Sequence, residues 1–253
     1  MKKTIIALMA LAGVAAAETT DLLASDANWN FSNSDQISIK DGVLDNTGHW
    51  NRGYANYELP NAITLNSNLS LELSYTMTFT NTSDVAATVA LHSSSDVLAF
   101  GAKTYNGSGN DAPLYIGYTT AADAISANAI TFVDKTAYGY IFDSATDTGK
   151  TAGIQSHKDG TTVSHNITET IAWDNTEQKF VATISIDGEV AKTQILGDSY
   201  TLEKISVTTA GNNVDWRSQP LFSNMQLKVI PEPTTATLSL LALAGLAARR
   251  RRK

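Results

Sequence analysis

Leu69-Ser70-Leu71-Glu72-Leu73-Ser74-Tyr75-Thr76-Met77-Thr78-Phe79-Thr80 alternates apolar and polar residues without a break. Successive side chains of a strand point to opposite faces. Leu69, Leu71, Leu73, Tyr75, Met77 and Phe79 therefore share one face, and the serines, threonines and Glu72 share the other. The pattern predicts a long strand with one face in a core and one in water. Residues 178–186 repeat it, with Phe180, Ala182, Ile184 and Ile186 inward. Asp187-Gly188 then precedes a second run over 189–196, and Asp-Gly between two such runs predicts a hairpin. Near the end, Leu221, Met225, Leu227 and Val229 alternate with Phe222, Asn224, Gln226 and Lys228.

Further strands are predicted at 54–59, 85–92, 113–119, 138–142, 161–167 and 202–208. Turn signals separate them at Asp41-Gly42, Asn106-Gly107, Asp159-Gly160 and Gly211-Asn212-Asn213. No helical period interrupts this body. Many spaced strands with polar outer faces predict an all-β fold, an antiparallel β-sandwich or a barrel. No Pro- or Gly-rich linker divides it, so one domain is expected over residues 18–230.

The chain has 253 residues, 43% apolar and 17% charged, with no cysteine. That apolar fraction is too high for a disordered chain. Without cysteine there are no disulfides, thiolate metal sites or cysteine nucleophiles. The net charge of −7 hides a division. Residues 1–17 carry two cations, and residues 231–253 carry five cations and one anion. The body keeps 11 cations and 24 anions, a net charge of −13. So acidic a body argues against a nucleic-acid partner.

Both ends are basic and apolar. Lys2-Lys3, an apolar run over 4–14 and Ala15-Ala16-Ala17 have the order of a secretory signal peptide, with cleavage expected between Ala17 and Glu18. At the other end, Pro231-Glu232-Pro233 precedes an apolar helix predicted over 234–248 and the cluster Arg249-Arg250-Arg251-Arg252-Lys253. A helix apolar all round belongs in a core or in lipid, and the terminal cations suit the cytoplasmic lipid surface. Its 15 residues reach about 22 Å, short of the ~20 residues of a full span. It would serve as a marginal, temporary anchor.

This C-terminal segment resembles the PEP-CTERM sorting signal of Gram-negative bacteria. The resemblance implies export across the inner membrane by Sec-type machinery and signal peptidase. It further implies transient retention by the tail and processing by an exosortase that reads Pro231, Glu232 and Pro233. The expected destination is the cell surface or extracellular matrix.

The body is similar, in layout, to the concanavalin A-like and laminin G-like jelly roll. The run from Phe180 to Val190, with its strand, Asp-Gly and strand, carries that likeness. So do the long strand at 69–80 and the closing strand at 221–229. Glycosidases on this sandwich gather carboxylates as Glu-x-Asp-x-x-Glu on one strand face. Here the glutamates are scattered at 18, 58, 72, 169, 177, 189, 203 and 232. His49, His92, His157 and His165 form no chelating spacing, and no Gly-x-Ser-x-Gly or phosphate loop occurs. A body without catalysis, and without a firmly predicted metal, is therefore expected.

Two surfaces remain. Trp50, Arg52, Tyr54, Trp173 and Trp216 are candidate glycan contacts, since sugars stack on aromatic faces and Arg bonds their hydroxyls. The alternative is that Trp50 and Trp173 are core residues, as large aromatics commonly are. Asp143 and Asp147, in Asp143-Ser144-Ala145-Thr146-Asp147-Thr148-Gly149, form a candidate calcium loop or an ordinary turn. The sequence thus predicts an exported, non-catalytic surface or matrix protein whose jelly-roll body binds glycans, such as an exopolysaccharide, or partner surfaces. The alternatives are a carbohydrate-active enzyme on the same fold and a purely structural coat component.

Overall fold

The computed structural model describes residues 16–31, 37–46, 53–80, 85–93, 97–104, 111–119, 156–158, 162–211 and 221–232. Among these residues every regular element is a strand. In chain order they are β1 (Glu18–Asp21), β2 (Trp29–Phe31), β3 (Ile37–Lys40), β4 (Val43–Asn46), β5 (Gly53–Leu65), β6 (Leu69–Thr80), β7 (Val85–Ser93) and β8 (Val97–Thr104). There follow β9 (Asp111–Thr119), β10 (Ser156–Lys158), β11 (Thr162–Asp174), β12 (Lys179–Ile186), β13 (Glu189–Ile195), β14 (Tyr200–Gly211) and β15 (Leu221–Pro231).

They form two antiparallel sheets. One runs β13-β12-β11-β6-β15-β4-β3, with β1 also paired to β15. The other runs β10-β9-β8-β7-β14-β5-β2. Strands adjacent in sequence often lie apart in space: β14 sits between β5 and β7, and β15 lies beside β6.

The predicted alternation is realised in β6. Leu71, Leu73, Tyr75 and Met77 are all buried, and the residues between them are half-buried. In β12, Phe180, Ala182, Ile184 and Ile186 face the core as expected. Asp187 and Gly188 take φ of 52° and 87°, the left-handed pair that a two-residue hairpin needs. Asp41 and Gly42 do the same between β3 and β4. The facing sheet contributes Ala55, Tyr57, Val89, Leu91, Leu202, Ile205 and Val207 to one shared core.

Two details depart from expectation. In β15 the buried residue is Phe222, not Leu221. The β15–β6 register shifts between Ser223 and Gln226, and Asn224 has φ of 53°. A bulge there inserts an extra residue, so Phe222 and Met225 both reach the core across an odd interval. Glu169, one of the glutamates read as scattered, is fully buried between Ile167 and Ile171 on the inner face of β11.

The predicted strand at 138–142 and the predicted helix at 234–248 lie outside the described residues. Among the described residues, no helix is long and apolar enough to cross a membrane.

Candidate functional site

Pairing registers align short polar side chains across the outer face of the seven-stranded sheet. Asn30 lies opposite Asn56, Asn56 opposite Ser206, and Ser206 opposite Ala90. In the adjacent row Lys204 lies between Glu58 and His92. These residues sit on β2, β5, β14 and β7, so the strand order alone assembles them.

Local bonds fix part of this face. Ser206 Oγ donates to Asn56 Oδ1 at 2.6 Å. That contact orients the amide and leaves its NH2 as the donor. Ser206 and Ala90 are buried at 1% and 0% exposure, whereas Asn30 and Glu58 are exposed. The His92 imidazole is half-buried, and its Nε2 is buried without a hydrogen-bond partner. Burial, and then the Lys204 cation, push its pKa down to about 4. The ring is therefore neutral at pH 7. The face thus sets an amide, an ammonium and a carboxylate beside a neutral imidazole within two rows. Donors and acceptors of both kinds suit the hydroxyl groups of a polyol.

A second concavity, of about 390 Å³, opens at the sandwich edge between β1, β5 and β15. Glu18, Thr20, Asn28 and Tyr57 supply its polar lining, and Leu227 and Val229 its apolar part.

The sequence-predicted residues are distributed unevenly. Trp173 is half-buried and meets Phe180 edge to face, with ring centroids 5.3 Å apart. Its indole is spent on the core margin of the eight-stranded sheet and does not join the outer polar face. Tyr54 occupies the register position opposite Thr208 on the seven-stranded sheet. Trp50, Arg52 and Trp216 lie outside the described residues, as do Asp143 and Asp147 of the calcium loop. Among the described residues no cluster of three metal-ligating side chains occurs. Glu18, the expected first residue after cleavage, opens β1 and pairs with Val229. Pro231 closes β15 and Glu232 follows it, while Pro233 and the cluster from Arg249 to Lys253 lie outside the described residues.

The sequence reading missed Asn30, Asn56, Lys204, Ser206 and His92. Each is ordinary in its own strand, and only β-pairing between distant segments unites them.

No family model matches the sequence, and no curated protein matches it. Solved structures do resemble its fold. The carbohydrate recognition domain of Emp47p is 16% identical, covering 84% of this chain and 93% of its own, with a TM-score of 0.52. An endo-1,3-beta-glucanase from Streptomyces sioyaensis is 11% identical, covering 85% and 95%, at 0.50. The carbohydrate recognition domain of Emp46p in its potassium-bound form is 10% identical, covering 84% and 95%, at 0.50. At such identities the likeness concerns the fold: the body is an all-β jelly roll of the lectin, concanavalin A-like type. The glucanase corrects the expectation of a body without catalysis. An enzyme is built on this same sandwich, so the fold does not exclude chemistry.

Proposed function

We propose that the protein is an exported glycan-binding jelly roll that engages sugar hydroxyls with the outer face of its seven-stranded sheet. The observation that carries this reading is the row of Asn30, Asn56 and Ser206 beside Lys204 and His92. Likeness to carbohydrate recognition domains supports the same reading at the level of fold. A glycan array with the purified protein, with and without calcium or potassium, tests it. Binding to none of the glycans under any ionic condition would reject it. Reducing-end release from the same glycans tells binding alone from hydrolysis.

For sorting, the proposal is export by the N-terminal signal and retention by the tail, with processing by an exosortase at Pro231-Glu232-Pro233. The final location is the cell surface or extracellular matrix. The order of basic, apolar and Ala-x-Ala segments supports the first step. The order of Pro-Glu-Pro, apolar run and arginine cluster supports the second. Replacing Pro231, Glu232 and Pro233 together by alanine tests it, and unchanged processing and location would reject it.

A further inference from the structure

The end of β15 is fastened to the start of β6 by three features. Pro231 lies in register with Leu69. The Glu232 backbone N–H donates to the Asn68 carbonyl at 2.7 Å. Ser70 Oγ donates to Glu232 Oε1, also at 2.7 Å, and Ser70 is itself buried. The receiving turn is stiff: Asn66 Oδ1 accepts from the Asn68 N–H at 2.9 Å, and the Asn66 carbonyl accepts from the Leu69 N–H. On its other side β15 pairs with β1 only as far as Val229, opposite Glu18. Beyond that point the described pairing of β15 is with β6 and its turn.

Glu232 is thus exposed, yet its backbone N–H and one carboxylate oxygen are already engaged. An enzyme that reads an extended Pro-Glu-Pro segment through the glutamate would compete for those same groups. We infer that the folded body gates its own tail: Ser70 and Asn68 hold Glu232 back from the processing enzyme until the last pairs of β15 open. This inference rests on the sorting reading above. Strand ends fray at far lower cost than a whole domain unfolds, so the gate slows processing without forbidding it. It also ties processing to a locally mobile end and leaves the central pairs of the sheet intact.

The test follows tail loss by pulse–chase, with the full-length chain expressed in cells that carry the processing enzyme. Ser70→Ala keeps the motif and removes the clamp, and it is expected to raise the processing rate several-fold. Ser70→Thr keeps the hydroxyl and should restore the wild-type rate. Asn66→Ala loosens the turn from a separate position and should also accelerate processing, so the test survives if Ser70→Ala folds poorly. Hydrogen exchange at the Glu232 amide should rise in both accelerated variants. Wild-type processing rates in Ser70→Ala and Asn66→Ala overturn the gate, provided the triple-alanine motif variant is blocked. If the triple-alanine variant is processed normally, the sorting reading itself fails and the gate falls with it.

Discussion

Tyr75 Oη donates a 3.0 Å hydrogen bond to Glu169 Oε1 inside the core, from β6 to the neighbouring β11. Both residues are almost wholly buried, and the second carboxyl oxygen, Oε2, has no partner. Burial raises the Glu169 pKa to about 8, and the tyrosine bond pulls it only partly back. In the folded protein the carboxyl therefore stays protonated at neutral pH. In the unfolded chain it ionises near its ordinary value of 4.5.

A carboxyl with a raised folded pKa favours the unfolded state once that state can ionise. Its contribution to stability should fall as pH rises from about 4.5 to about 8, and then level off. Glu169→Gln keeps the shape and cannot ionise. Its stability relative to wild type should improve between pH 5 and pH 8, by an amount on the order of 4 kcal/mol. Urea denaturation at a series of pH values measures this. Parallel curves for the two proteins would show that Glu169 is ionised in the fold.

Trp29 ties the first strands to the core. Its Nε1 donates to the Leu22 carbonyl at 2.7 Å, and its ring meets Tyr57 edge to face at 5.3 Å. Trp29→Ala should cost roughly 3–5 kcal/mol through lost burial and a cavity. Trp29→Phe keeps most of the apolar contact but leaves the Leu22 carbonyl without its indole donor, at about 1–3 kcal/mol. Chemical denaturation distinguishes the two values. A Trp29→Phe variant as stable as wild type would mean that the hydrogen bond contributes nothing.

Much of this fold is legible in the sequence because the period of a half-buried strand is visible over eight or more residues. β6 and the β12–β13 hairpin follow directly from alternation and Asp-Gly. The three-residue β2 and β10 are too short to show a period, and β8 reads Val-Leu-Ala-Phe-Gly-Ala-Lys-Thr without alternation. The face taken by Phe222 is hidden because a bulge at Asn224 breaks the period of two. Glu169 keeps the period of β11, but a carboxylate on an inner face runs against the cost of burying charge. The candidate site was invisible for a topological reason. Residues 30, 56, 90 and 206 meet only because β14 inserts between β5 and β7.

At the β12–β13 hairpin, Asp187 Oδ2 lies 2.7 Å from His165 Nδ1, and its Oδ1 accepts the Asn166 N–H at 2.8 Å. Partial burial would raise the Asp187 pKa, but the Asn166 and His165 bonds outweigh it and hold the group below its usual 3.8. The stability this carboxylate adds is present above that value and lost as pH falls through its lower folded value. Asp187→Asn tolerates the left-handed turn but loses the charge. It should cost about 1 kcal/mol or less at pH 6, since the pair is exposed at Asp187, and less at pH 2. Thermal melts at both pH values check this, and an undiminished difference at pH 2 would assign the effect to the turn instead.

The outer polar face yields the sharpest test of the glycan reading. Ser206 is buried and orients the Asn56 amide, so Ser206→Ala should release that amide while leaving the core intact. Asn56→Ala removes the amide itself, and His92→Phe removes the imidazole nitrogen while keeping a ring of similar bulk. If sugar hydroxyls bond here, Asn56→Ala should weaken binding about tenfold, the loss of one neutral hydrogen bond at roughly 1.4 kcal/mol. Ser206→Ala should weaken it less, because the amide remains able to return to its bound orientation. His92→Phe should not destabilise the free protein, since it removes a buried nitrogen that lacks a partner. Binding titrations with a glycan identified on the array, paired with denaturation midpoints, separate these effects. Unaltered affinity in Asn56→Ala would move the ligand off this face. The edge cleft of Glu18, Asn28 and Tyr57 would then be the next surface to mutate.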